Sequence, residues 1–190
     1  YPGEDFQMFE RDLPGQNTAG FNQKESISDL PLEACQTIGR AWGYNLRDTD
    51  TKSVKALIHF LVKAAGNDAN LLLNVGPMPN GKIMPENVAV LKEMGRWMDR
   101  YGETIYGTRG GPVAQRDWGV TTQTEERVYV HVLNWDDPML VMPDPGFRVK
   151  RAWYFEDGSE VKTERVKEGL LLRLPDKVEG APDRIIVLER

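Results

Sequence analysis

The chain is 190 residues long, 40% apolar and 28% charged, with a formal net charge of −5 at pH 7. That length holds one domain or two around a real core, and the composition excludes a disordered chain. Lys and Arg are scattered among acids without a basic stripe, which argues against nucleic acid or anionic membrane as partners, and no apolar run approaches the roughly 20 residues of a membrane-spanning helix.

Residues 1–30 are rich in Gly, Pro, Asp, Glu, Asn and Gln with little periodicity. They predict a long functional loop anchored by Tyr1, Phe6, Phe9 and Phe21. Residues 30–38 predict a short strand, and residues 39–50 a second loop carrying Trp42 and Tyr44. Val54, Leu57, Ile58, Leu61, Val62 and Ala65 then recur at helical spacing, so residues 51–66 predict an amphipathic helix. Leu71, Leu72 and Leu73 run through Asn74 to Val75 and stop at Gly76-Pro77, the pattern of a strand buried on both faces, as in parallel sheets. Val88, Leu91, Met94, Met98 and Tyr101 mark a second helix, with Pro85 at its first position and Gly102 as its terminating glycine.

From Thr108 the pattern changes. Gly110-Gly111-Pro112 reads as a linker. Period-2 segments follow at residues 119–124, 127–135, 139–143, 148–155, 169–174 and 184–189 with no helix between them. Asp157-Gly158 is a two-residue hairpin signal. The second half therefore predicts an antiparallel β-sandwich of about six to eight strands.

Cys35 is the single cysteine. It excludes an internal disulfide and a cysteine-based zinc site, and reads as a small buried hydrophobe. His59 and His131 read as structural, each without a partner for a metal or triad constellation. Trp118, Trp135, Trp153, Tyr129 and Tyr154 sit at strand spacing and read as core rather than as a sugar platform. Met78, Met84, Met94, Met98, Met139 and Met142 read as filler. No glycine-rich nucleotide loop occurs, since Gly39-Arg40-Ala41-Trp42-Gly43 does not match one, and no serine nucleophile elbow occurs either. What remains is a set of acids, Glu4, Asp5, Glu10, Glu25, Asp29 and Glu33, beside Phe6, Phe9, Trp42 and Tyr44. Carboxylate beside aromatic is the chemistry of a carbohydrate site: rings stack on the C–H faces of sugars, and a carboxyl group against apolar walls is pushed toward service as a general acid.

Five segments carry a family resemblance. Asp5-Phe6-Gln7-Met8-Phe9-Glu10-Arg11, Leu32-Glu33-Ala34-Cys35-Gln36-Thr37-Ile38, Ala41-Trp42-Gly43-Tyr44-Asn45, Asn70-Leu71-Leu72-Leu73-Asn74-Val75-Gly76-Pro77 and Tyr101-Gly102-Glu103-Thr104-Ile105-Tyr106-Gly107 occur in this order. Together they resemble the α-L-fucosidases of glycoside hydrolase family 29. The resemblance implies an α/β plus all-β chain. Residues 1–107 would be the C-terminal end of a (β/α)8-like catalytic barrel, incomplete without its N-terminal strands, and residues 108–190 a C-terminal β-sandwich domain.

It also implies an exo-acting enzyme that hydrolyses terminal α-L-fucose from glycans or glycoconjugates with retention, without metal or cofactor. Glu10 then falls at the family's catalytic acid/base and Trp42 at the aromatic that packs on the fucose C5 methyl group. The bland readings are a loop ion pair of Glu10 with Arg11 and a core position for Trp42. Glu33 reads as structural, with Arg40 as its expected partner. Retention needs two carboxyl groups roughly 5 to 5.5 Å apart. The family's nucleophilic Asp lies on an earlier strand, expected before Tyr1 with the rest of the catalytic domain. A homo-oligomer is left open, as is the compartment among secreted, periplasmic and lysosome-like. The competing expectation is a non-catalytic carbohydrate-binding or structural β-sandwich module with a vestigial barrel end.

Overall fold

The computed structural model describes residues 3–16, 18, 26–48, 50–176 and 179–190. Tyr1, Phe21 and Glu25 lie outside the described residues. The chain divides into two compact units, Tyr1–Gly102 and Glu103–Arg190. Glu103–Gly107 thus goes with the second unit rather than the first, and local bonds explain why: the Thr104 carbonyl accepts from the Thr122 hydroxyl, and Glu103 pairs with Arg127 at 3.7 Å.

In the first unit, β1 (Gln7–Glu10), β2 (Leu32–Thr37) and β3 (Ala69–Asn74) form a parallel sheet in that order. The loop predicted over residues 1–30 therefore contains a strand. Its four residues alternate buried and exposed, too short a run to register as a period among so many turn formers. α1 (Val54–Gly66) links β2 to β3; Ser53 caps it by accepting from the Ala56 N–H at 3.1 Å. Register puts Phe9, Ala34 and Leu71 side by side, so they share a face. On that face Phe9, Leu13, Leu32, Ala34, Ala64 and Ala69 close into a core with Phe60. Complete burial of Phe9 contributes up to about 3 kcal/mol.

The opposite face carries Met8, Glu10, Cys35 and Leu72, and here the expectation of a strand buried on both sides is corrected. Leu72 is 48% exposed and Met8 40%, because α1 covers only the Phe9 face. α2 (Pro85–Tyr101) begins on Pro85 and buries Met94 and Trp97. Gly102 closes it in an ordinary right-handed conformation (φ −57°) and leads into a single 3-10 turn, Gly102–Thr104, so the left-handed glycine cap expected there is absent. Among the described residues no helix is long and apolar enough to cross a membrane.

The second unit holds β4 (Arg109–Gly110), β5 (Gly119–Gln123), β6 (Arg127–Val132), β7 (Met139–Met142), β8 (Arg151–Tyr154), β9 (Thr163–Val166), β10 (Gly169–Arg173) and β11 (Arg184–Glu189). They form two antiparallel sheets, ordered β4-β5-β6-β11-β8 and β7-β10-β9. Val128, Val130, Ile186 and Leu188 from one sheet and Leu140, Met142, Leu170 and Leu172 from the other share one core. β4 and β9 escaped the sequence reading, being too short or too polar to alternate.

The Gly110-Gly111 pair is no linker. Gly110 pairs with Thr122, and a Cβ on Gly111 would sit 2.2 Å from the Thr121 hydroxyl, so glycine is needed for close packing. The Asp157-Gly158 turn forms with a longer loop than two residues: Tyr154 N–H bonds the Ser159 carbonyl at 2.8 Å, and Gly158 takes φ +73°.

Trp118, Tyr129 and Tyr154 are buried as expected of core residues. Trp135 is instead 36% exposed, and Trp153 is flanked by the guanidinium groups of Arg127 and Arg151, whose carbons stand 5.7 and 5.0 Å from its ring. Met142 and Met94 fill core space, whereas Met139 is exposed. His131, read as structural, is fully buried, but it does have partners. Its Nδ1 stands 2.6 Å from Asp183 Oδ2 and its Nε2 3.1 Å from Thr122 Oγ1. Asp183 comes from a distant part of the chain, so spacing could not reveal it.

Candidate active site

The carboxyl ends of parallel strands are where backbone turns outward and side chains from successive loops converge. In the first unit these ends are Glu10, Thr37 and Asn74. Glu10, the last residue of β1, is half-buried, and its Oε1 accepts from the Trp42 indole Nε1–H at 3.1 Å. A hydrogen bond of this kind contributes about 1 kcal/mol. The two residues singled out in the sequence thus meet directly. The bland alternative, an ion pair of Glu10 with Arg11, does not form: the Arg11 guanidinium donates to the Arg40 carbonyl at 2.7 Å and lies over the Trp42 ring, 5.1 Å from its centroid. The expected Glu33–Arg40 pair is also replaced, since Arg40 pairs with Asp50. Cys35 is buried, and burial pushes its thiol above the ordinary range, so it is held as a neutral thiol.

Four further residues hold the Trp42 loop. Asn74, at the end of β3, donates from Nδ2 to the Trp42 carbonyl at 2.6 Å. Asp48 Oδ2 accepts from the backbone N–H groups of Arg40 and Ala41 at 2.8 and 2.9 Å, and those two donors hold its carboxyl below the usual range. Lys52 Nζ bonds the Gly39 carbonyl and Thr37 Oγ1. Burial chiefly, with Arg11 adding repulsion against Asp48's attraction, lowers its pKa. The fourth is Gly76, where a Cβ would meet the Gly43 carbonyl carbon and the Tyr44 nitrogen at 2.5 Å. Gly76→Ala is accordingly expected to push the loop off the sheet and to cost about 1 to 3 kcal/mol, read as a lowered urea midpoint with unchanged slope. An unchanged midpoint would show that the loop yields freely.

Sequence signals for these supports were uneven. Asn74 was read only as a position within the apolar run that continues to Val75, and Gly76 marked the strand's stop. Asp48 and Lys52 were indistinguishable from solvated loop charges. Among the described residues no three His, Cys, Asp or Glu side chains gather as a metal site would require.

The model of the alpha-L-fucosidase family matches residues 1–103. An alpha-L-fucosidase from Dictyostelium discoideum is 34% identical over 75% of this chain and 34% of its own length. Alpha-L-fucosidase isoenzyme 1 from Paenibacillus thiaminolyticus superposes with a TM-score of 0.81 at 31% identity, over 97% of this chain and 45% of its own. A GH29 alpha-L-fucosidase from Bacteroides thetaiotaomicron, solved as a trapped covalent intermediate with 2-fluoro-fucosyl fluoride, superposes with a TM-score of 0.81 at 26% identity, over 97% of this chain and 43% of that one. The chain thus spans about a third of the curated relative and less than half of each solved structure.

Proposed function

The chain belongs to the alpha-L-fucosidase family of glycoside hydrolases, and from that premise we propose that it is the C-terminal portion of an exo-acting, retaining α-L-fucosidase. β1, β2, β3 and their helices would be the end of a (β/α)8-like barrel, and the two antiparallel sheets the appended β-sandwich. The remaining strands, with the nucleophilic carboxylate, lie N-terminal to Tyr1 in this reading. The substrate is a fucosylated oligosaccharide or glycoconjugate. The observation that carries the proposal is the Glu10 carboxyl at the carboxyl end of a parallel strand, hydrogen-bonded by the indole of Trp42.

In the first step Glu10, protonated, gives its proton to the glycosidic oxygen as the nucleophile of the missing portion attacks the anomeric carbon and the C–O bond to the aglycone breaks. In the second, the Glu10 carboxylate takes a proton from water, which attacks the anomeric carbon and releases the nucleophile. The Trp42 ring supplies an apolar wall for the fucose C5 methyl group. The trapped covalent intermediate of the Bacteroides relative supports a double displacement of this kind.

The test is hydrolysis of an α-L-fucoside by the longer protein, with the anomeric proton of the released sugar followed by NMR. α-L-Fucose is expected first. First release of the β anomer would overturn retention, and no hydrolysis at all would transfer the assignment to a carbohydrate-binding or structural module. The 190-residue chain alone, its purity shown by intact mass, is expected to be inactive because it lacks the nucleophile.

A further inference from the structure

Arg11 has a backbone that its position makes costly. Consecutive residues of a strand point to opposite faces, so a β1 continued in extended form would carry the Arg11 side chain away from the Glu10 side, toward α1. Arg11 instead adopts φ +60°, a left-handed conformation shared among described non-glycine residues only by Asp68. Such an outlier persists where surrounding bonds over-determine it. Its N–H donates to the Cys35 carbonyl at 2.8 Å, its Nη2 to the Arg40 carbonyl at 2.7 Å, and its guanidinium lies over the Trp42 ring. The turn brings two consecutive side chains onto one indole: Glu10 takes the N–H, Arg11 takes a face.

We propose that Arg11 is a positioning residue for the acid/base. By stacking on Trp42 and tying the adjoining loop at Arg40, it keeps the indole N–H on Glu10 Oε1, which fixes the carboxyl rotamer and presents Oε2 to the glycosidic oxygen. The proposal rests on the catalytic reading of Glu10 above. Lys cannot replace Arg here, because an ammonium is a point charge without the planar fork that bonds a carbonyl while it stacks.

Arg11→Gly deletes the side chain while suiting the left-handed backbone, so the fold should survive it. In the longer protein, Arg11→Gly and Arg11→Lys are expected to lower kcat/KM for a fucosyl disaccharide about tenfold, mostly in kcat. Turnover of an aryl fucoside with a good leaving group should fall less than about threefold, because that substrate needs little proton donation. The Trp42 indole N–H resonance, assigned through Trp42→Phe, should move upfield in both variants as its bond to Glu10 loosens. Equal losses on both substrates, full rescue by Lys, or an unmoved indole resonance would overturn the positioning role. If the wild type turns over neither substrate, the catalytic reading falls by itself, and the indole resonance still decides whether Arg11 clamps Trp42.

Discussion

Glu10→Gln in the longer protein is expected to slow hydrolysis of a fucosyl disaccharide by about a thousandfold, while an aryl fucoside bearing a good leaving group retains glycosylation within about tenfold of wild type. Glutamine is nearly isosteric, and its carbonyl oxygen can still accept from the Trp42 N–H at the site that now measures 3.1 Å. The substitution therefore removes the proton and leaves the geometry. A sugar alkoxide cannot depart unprotonated, whereas an activated phenolate can, so the loss must track the leaving group. Equal loss on both substrates would mean that Glu10 holds the site together rather than donating. Thermal unfolding separates these outcomes, because a donor is dispensable for folding.

The largest expected stability effect lies in the second unit. Asp183→Ala should destabilise it by about 3 to 5 kcal/mol, since it leaves the His131 ring fully buried against a lost partner. His131 bridges three stretches of chain: Asp183 before β11, Thr122 on β5 and, through the Thr122 hydroxyl, the Thr104 carbonyl. A buried pair costs most when half of it is removed. The double replacement His131→Leu with Asp183→Leu should accordingly cost less than Asp183→Ala alone. Urea unfolding of the three variants measures this. A loss below about 1 kcal/mol for Asp183→Ala would show that the pair contributes no more than an exposed one.

Local signals were legible where one segment decides its own conformation. α1 and α2 declared themselves by helical spacing, Pro85 by its pre-set φ at a first helical position, and β11 as a period-2 segment over residues 184–189. β1 did not. Four residues inside a polar stretch become a strand because β2 offers them a parallel ladder and α1 a place for Phe9. Trp135 and Trp153 were misread as core, since strand spacing tells that a residue lies on a face but not whether that face is covered. Gly110-Gly111-Pro112 read as a linker, but the Thr121 side chain that requires glycine at 111 comes from a neighbouring strand.

The family was legible in the order of the segments, which the family model matches over residues 1–103, and with it Glu10 and Trp42 as the residues to watch. Composition set the exclusions and period set the helices. Folding alone reveals that Glu10 and Trp42 touch, that Arg11 turns against its strand to reach the same indole, that Asp48, Lys52 and Asn74 hold the loop, and that His131 has Asp183 as its partner. The reason is range. Helical and strand periods are written by neighbours a few residues apart, whereas a hydrogen bond between residues 10 and 42, or 131 and 183, exists only after sheet register and core packing have brought distant segments together.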